Sequence, residues 1–204
     1  MDEILDGIFH WTAFHEGIRM DVSSYYVAHE SFALIDPMLP DDGLEWFERR
    51  QAPERILLTN RHHYRHSARF VEAFDCPVYC HEAGLHEFEG GPAVEGFAFG
   101  EEVAPGIVAL EVDAICPEDS SLHISASGGA LAFADGLVRF RDDSLAFVPD
   151  SLMDDPETVK RGLRESLRSL LERDFDSLLF AHGLPLVGGA KSALTAFVEA
   201  DTSS

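Results

Sequence analysis

At 204 residues the chain has the length of one ordinary domain, read as 1–204, and enough apolar residues to bury a full core. Its formal net charge of −22 comes from 37 acidic against 15 basic residues, and the basic ones gather in no run, which argues against nucleic acid and anionic membranes as partners. The N-terminus, Met1-Asp2-Glu3-Ile4-Leu5-Asp6, is acidic with no long apolar stretch behind it, so neither a signal peptide nor a membrane span is expected and the chain is placed in the cytoplasm.

The first third reads as strands over Ile4 to Thr12, Val22 to His29 and Phe32 to Asp36, with β-branched and aromatic residues separated by polar turns. Asp41-Asp42-Gly43 caps a short helix carrying Leu44, Trp46 and Phe47, and Ala52-Pro53 breaks it before the apolar run Arg55 to Thr59. A histidine-rich turn follows, then a helix from about Ser67, a short strand Pro77 to Cys80 and a helix over His81 to Phe88. Strands are expected at Ile107 to Val112, Leu122 to Ser125, Ala130 to Ala134 and Leu145 to Val148, with turns at Ser127-Gly128-Gly129 and Arg141-Asp142-Asp143. The clearest helix runs from Pro156 to Arg173, with Asp155 as N-cap, proline at the first position, and Leu163, Leu167, Leu170 and Leu171 on one face. The chain closes with a strand Ser177 to Ala181, the turn His182-Gly183-Leu184-Pro185, and a helix from Ala190 to Ala200. A meander followed by alternating strands and helices, twice over, fits two sheets covered outside by helices.

The stretch Leu57 to Ala68, LLTNRHHYRHSA, is the densest in chemistry, with three of the ten histidines at the end of an apolar strand. Neutral imidazoles are good zinc or iron ligands, and a strand-to-helix junction is where side chains converge on a ligand. Spacing alone leaves a solvated helix start open as the other reading. Cys76, Cys80 and Cys116 have no zinc-ribbon spacing and read as buried small hydrophobes in a reducing compartment. Ser67 lacks the strand, sharp turn and helix setting of a serine nucleophile.

Taken in order, these motifs resemble the metallo-β-lactamase superfamily over nearly the whole chain. Ala33-Leu34-Ile35-Asp36-Pro37 resembles its early strand ending in aspartate, and its T-H-x-H-x-D-H signature falls on Thr59-Asn60-Arg61-His62-His63-Tyr64-Arg65. Pro117-Glu118-Asp119 stands at the third motif, Leu131-Ala132-Phe133-Ala134-Asp135-Gly136 at the bridging aspartate, and Leu179-Phe180-Ala181-His182-Gly183 at the last histidine. The resemblance implies an α+β fold, a four-layer αββα sandwich with its site at one edge where several loops meet.

Carried over residue by residue, the resemblance implies His62, Asp135 and His182 as catalytic residues and His62, Asp119, Asp135 and His182 as metal ligands. Asn60, Tyr64 and Arg65 stand where three further ligands belong, so a reduced centre is implied. It is either one zinc or iron ion, with His63 or His66 brought in by a one-residue shift of the loop, or no metal. In the second case Arg65 or Arg61 is expected to pair with Asp135 and supply the missing positive charge. Asn60, Arg61, Tyr64 and Arg65 line the pocket, where His63 or Tyr64 is available to orient water or donate a proton. Two functions follow: a metal-dependent hydrolase of an ester, thioester, lactone or amide, or a catalytically inactive protein of this fold that binds a small polar or anionic ligand without metal.

Overall fold

The computed structural model describes residues 1–139 and 143–200. Its first sheet carries seven strands in sequence order: β1 (Asp2–Leu5), β2 (Ile8–His15), β3 (Met20–Ala28), β4 (Phe32–Ile35), β5 (Arg55–Leu57), β6 (Val78–His81) and β7 (Glu95–Phe97). The meander β1 to β4 is antiparallel, and β4 to β7 run parallel. Two helices interrupt the parallel part, α1 (Glu45–Glu48) before β5 and α2 (Ser67–Phe74) before β6.

The second sheet is built from β8 (Glu102–Ala104), β9 (Ile107–Glu111), β10 (Ser120–Ile124) and β11 (Ala130–Phe133). A separate two-stranded ribbon follows, β12 (Val138–Arg139) with β13 (Leu145–Ala146), then α3 (Pro156–Leu170). The chain then re-enters the second sheet with β14 (Ser177–Phe180) and β15 (Leu186–Val187), and ends on α4 (Ala190–Glu199). The order across this sheet is β15-β14-β11-β10-β9-β8, with β11 and β14 parallel.

Strand alternation explains the layering. Tyr25, Ile35 and Leu57 point between the sheets, where they meet Ala109, Leu122, Ala132 and Leu179. Their chain neighbours Tyr26, Leu34 and Ile56 point the other way, onto Trp46, Phe47 and Phe70 of α1 and α2. Leu131, Phe133 and Phe180 of the second sheet face Leu163, Leu167 and Leu170 of α3 and Leu194 and Val198 of α4. Because the central strands are buried on both faces, their sequences are continuous apolar runs such as Ala33-Leu34-Ile35. Helix, sheet, sheet, helix is the expected α+β sandwich.

Several expected elements differ in detail. The strand read over Ile4 to Thr12 is two strands, folded back at Asp6-Gly7, where Gly7 has φ +71° and a Cβ would lie 2.8 Å from the Ala28 carbonyl oxygen. The helix read over His81 to Phe88 is a 3₁₀ helix, Glu82–Phe88, and the long helix stops at Leu170, three residues earlier than its last arginine. Asp155 caps that helix as expected, accepting from the Thr158 N–H, with Pro156 at its first turn. The short strands β7, β8, β12 and β15 have two or three residues each and carry no periodic signal. Arg141 and Asp142 of the expected turn lie outside the described residues. Among the described residues no helix is long and apolar enough to cross a membrane, and all three cysteines are free.

Candidate metal centre

The parallel pairs β4–β5 and β11–β14 deliver their C-terminal ends to one edge of the sandwich, which is where open sheets gather their ligands. Asp36 follows β4, the Thr59 turn follows β5, Asp135 follows β11 and His182 follows β14. After Thr59 the chain makes a 3₁₀ turn, Arg61–Tyr64, capped by Asn60, whose Oδ1 accepts from the His62 N–H at 3.0 Å. This tight turn buries His63 and leaves its neighbour His62 exposed.

Three side chains converge: His63, Asp135 and His182 each offer a ligand atom, all within 4.8 Å of one another. The His182 Nε2 is 3.1 Å from Asp135 Oδ1, and the His63 Nε2 is 3.6 Å from the same oxygen. On its other side the His63 ring is gripped by a carboxylate, with Nδ1 2.9 Å from Asp36 Oδ2. Asp36 is itself fixed, since the Thr59 N–H donates to Oδ1 at 2.9 Å and the Thr59 hydroxyl donates to Oδ2. The second imidazole nitrogen is thereby aimed at Asp135.

Charge follows this geometry. Burial would push the His63 imidazole down, but the Asp36 and Asp135 carboxylates outweigh it and hold the ring up at about 9. Burial likewise opposes ionisation of Asp135, yet His63 and His182 keep its carboxyl well below the ordinary range. Asp119 goes the opposite way, raised by burial and then by the Asp135 charge. Its Oδ1 accepts from the Asp135 N–H at 3.4 Å, so it sits behind the aspartate and steadies its loop. Burial, then the Arg61 charge, lower His62.

The remaining expected residues are placed as follows. His66 is exposed, and its Nδ1 accepts from the Leu39 N–H at 3.0 Å, outside the converging group. Asn60 is buried and also donates to the Cys116 sulfur at 3.2 Å. Tyr64 packs its ring on Phe88, with centroids 5.8 Å apart. Neither arginine makes the ion pair with Asp135 expected of it. Arg61 is paired with buried Glu118, and Arg65 turns inward to donate to the backbone carbonyls of Ser23 and Asp36, each at 2.7 Å. Asp36 and Thr59 are visible in the sequence only as the ends of apolar strands; their grip on His63 is a tertiary contact.

The sequence matches no protein-family model and no curated protein. Solved structures are similar to it. TTHA1623 in a di-iron-bound form is 22% identical with a TM-score of 0.67, over 92% of this chain and 99% of that one. The metallo-beta-lactamase family protein TTHA1429 from Thermus thermophilus is 16% identical with a TM-score of 0.68, over 96% of this chain and 79% of that one. The chain has the metallo-β-lactamase fold. Rubredoxin oxygen:oxidoreductase from Desulfovibrio gigas, 15% identical with a TM-score of 0.67, shares the metallo-β-lactamase fold over 97% of this chain and 60% of its own length. Chemistry therefore has to be argued from the site, since the metallo-β-lactamase fold hosts more than one.

Two of the three donor separations fit a single ion, and the third, between the imidazoles of His63 and His182, lies within 4.8 Å. Zinc bonds of about 2.1 Å in tetrahedral geometry set ligand atoms about 3.4 Å apart, which the observed 3.1 and 3.6 Å bracket. Two imidazoles and a carboxylate suit zinc, and equally the facial arrangement of a non-haem ferrous ion. A ligating histidine ordinarily gives its other nitrogen to a carboxylate, as His63 gives Nδ1 to Asp36.

Proposed function

We propose that the chain is a metal-dependent hydrolase with one zinc or iron ion held by His63, Asp135 and His182, acting on a small-molecule ester, thioester, lactone or amide. The observation that carries this reading is His63, fixed by Asp36 on one nitrogen and presented by the other to Asp135 and His182. Such an ion lowers the pKa of bound water and polarises a carbonyl. Asp36 sets the tautomer and orientation of His63, and Asp119 steadies the loop of Asp135. His62, next to buried His63, is exposed and open to a substrate from solvent.

The competing function, an inactive protein holding a small polar or anionic ligand without metal, sets that ligand against Arg61, Arg65 and the histidines. Both guanidinium groups are instead engaged inside the protein.

Elemental analysis of the purified chain is expected to give one ion per chain. His182→Ala is expected to lose that ion and any turnover of activated esters, thioesters and lactones. Metal-free protein that takes up neither zinc nor ferrous iron defeats the reading.

A further inference from the structure

Arg65 is unusual on three independent grounds. Its backbone has φ +46°, a conformation that residues with a Cβ rarely adopt, and it touches Asp36, which has φ +47°. Its guanidinium is turned into the protein, yet it makes no ion pair with any carboxylate among the described residues. Instead it donates only to carbonyl oxygens: Nη1 to Ser23 and Asp36, each at 2.7 Å, and Nη2 to Ala181 at 3.5 Å. The Asp36 and Asp135 carboxylates lie near enough to feel its charge, yet its donors are spent on backbone carbonyls rather than on either of them.

Each of those carbonyls belongs to a residue that controls a ligand. Asp36 grips His63 through its side chain. Ala181 immediately precedes His182. Ser23 brackets His182 on both sides, its N–H donating to the Ala181 carbonyl at 2.9 Å and its hydroxyl to the Gly183 carbonyl at 2.7 Å. The guanidinium therefore ties β3, at Ser23, to the C-terminal ends of β4 and β14.

We propose that Arg65 is the positioning residue of this centre: by clamping the Ser23, Asp36 and Ala181 carbonyls it sets the spacing between His63 and His182. This rests on the metal reading above, and the test separates the two.

The full chain is titrated with cobalt(II), whose visible spectrum reports ligand geometry, alongside Arg65→Met and Arg65→Lys. Positioning predicts binding about 10- to 100-fold weaker in Arg65→Met, with an altered spectrum, and partial recovery in Arg65→Lys. Unchanged affinity together with an unchanged spectrum overturns the proposal. The metal-free proteins are compared in parallel by the imidazole nitrogen resonances of His63 and His182, which are expected to move in Arg65→Met. If the parent chain takes up no cobalt, the metal reading fails by itself and these resonances decide the positioning role; unshifted imidazoles reject it. Should Arg65→Met not fold, Ser23→Ala, which removes the hydroxyl tie to Gly183 together with the contact to the His10 Nε2, replaces it. The His182 resonance and cobalt affinity are then expected to shift, with Ser23→Thr restoring both; no shift in either rejects the proposal.

Discussion

Replacing Asp36 by asparagine keeps the shape of the side chain and removes its charge. Three contacts converge on this buried carboxylate: the Thr59 N–H, the Thr59 hydroxyl and the His63 Nδ1. An amide offers one acceptor oxygen and an NH₂ that must now face a donor, so at least one bond is lost and another becomes repulsive. Breaking a buried charged pair of this kind costs on the order of 3 kcal/mol of stability, and for a chain of this size that lowers the thermal midpoint by about 6–12 °C. A second effect acts on the proposed ion, because freeing His63 from its carboxylate would cost about 10- to 100-fold in affinity, about 1.4–2.7 kcal/mol. The two are separable: thermal unfolding with chelator present reads the first, and competition titration of zinc against a chromophoric chelator reads the second. A destabilised Asp36→Asn that still binds zinc as tightly as the parent would refute the claim that Asp36 orients a ligand.

Other expectations follow from the same contacts. Burial lowers His10 to about 4, and its Nε2 lies 2.9 Å from the Ser23 Oγ. Between pH 6.5 and 4 the unfolded chain therefore takes up a proton that the folded chain refuses, so stability falls as pH drops through that window. At about 1.4 kcal/mol per pH unit the loss reaches about 3 kcal/mol. Urea unfolding of the parent and His10→Gln across this range checks it, and parallel acid limbs count against it. Gly183→Ala is expected to abolish zinc binding, since φ is +123° and a Cβ would stand 2.1 Å from the Arg139 carbonyl oxygen, forcing the His182 loop to move; a zinc titration of the variant that matches the parent rejects this. With a net charge of −22, self-repulsion should ease as salt is added. A thermal midpoint that is flat from low to molar sodium chloride would refute this.

The layering is legible because the apolar runs ending at Asp36, Asp135 and His182 are strands buried on both faces, which the sequence shows as unbroken hydrophobicity. What a sequence cannot show is which of two adjacent histidines turns inward. In a 3₁₀ turn successive side chains are about 120° apart, so the cap formed by Asn60 decides between exposed His62 and buried His63. A gap-free overlay of the T-H-x-H-x-D-H pattern puts His62 in the site and misses that rotation. The arginines mislead for a related reason: charge alone puts them against Asp135, whereas Glu118 and three backbone carbonyls, remote in sequence, claim their donors first. Gly7 shows the same lesson on a smaller scale, since one residue with positive φ divides an apparently continuous strand.

The three converging side chains come from different halves of the sandwich, His63 from the first sheet and Asp135 and His182 from the second. Neither half alone presents a complete set of donors. An ion taken up during refolding would therefore be captured only after the two sheets have docked, making metal capture a clock for the last step of assembly and the bound ion a rivet across the seam.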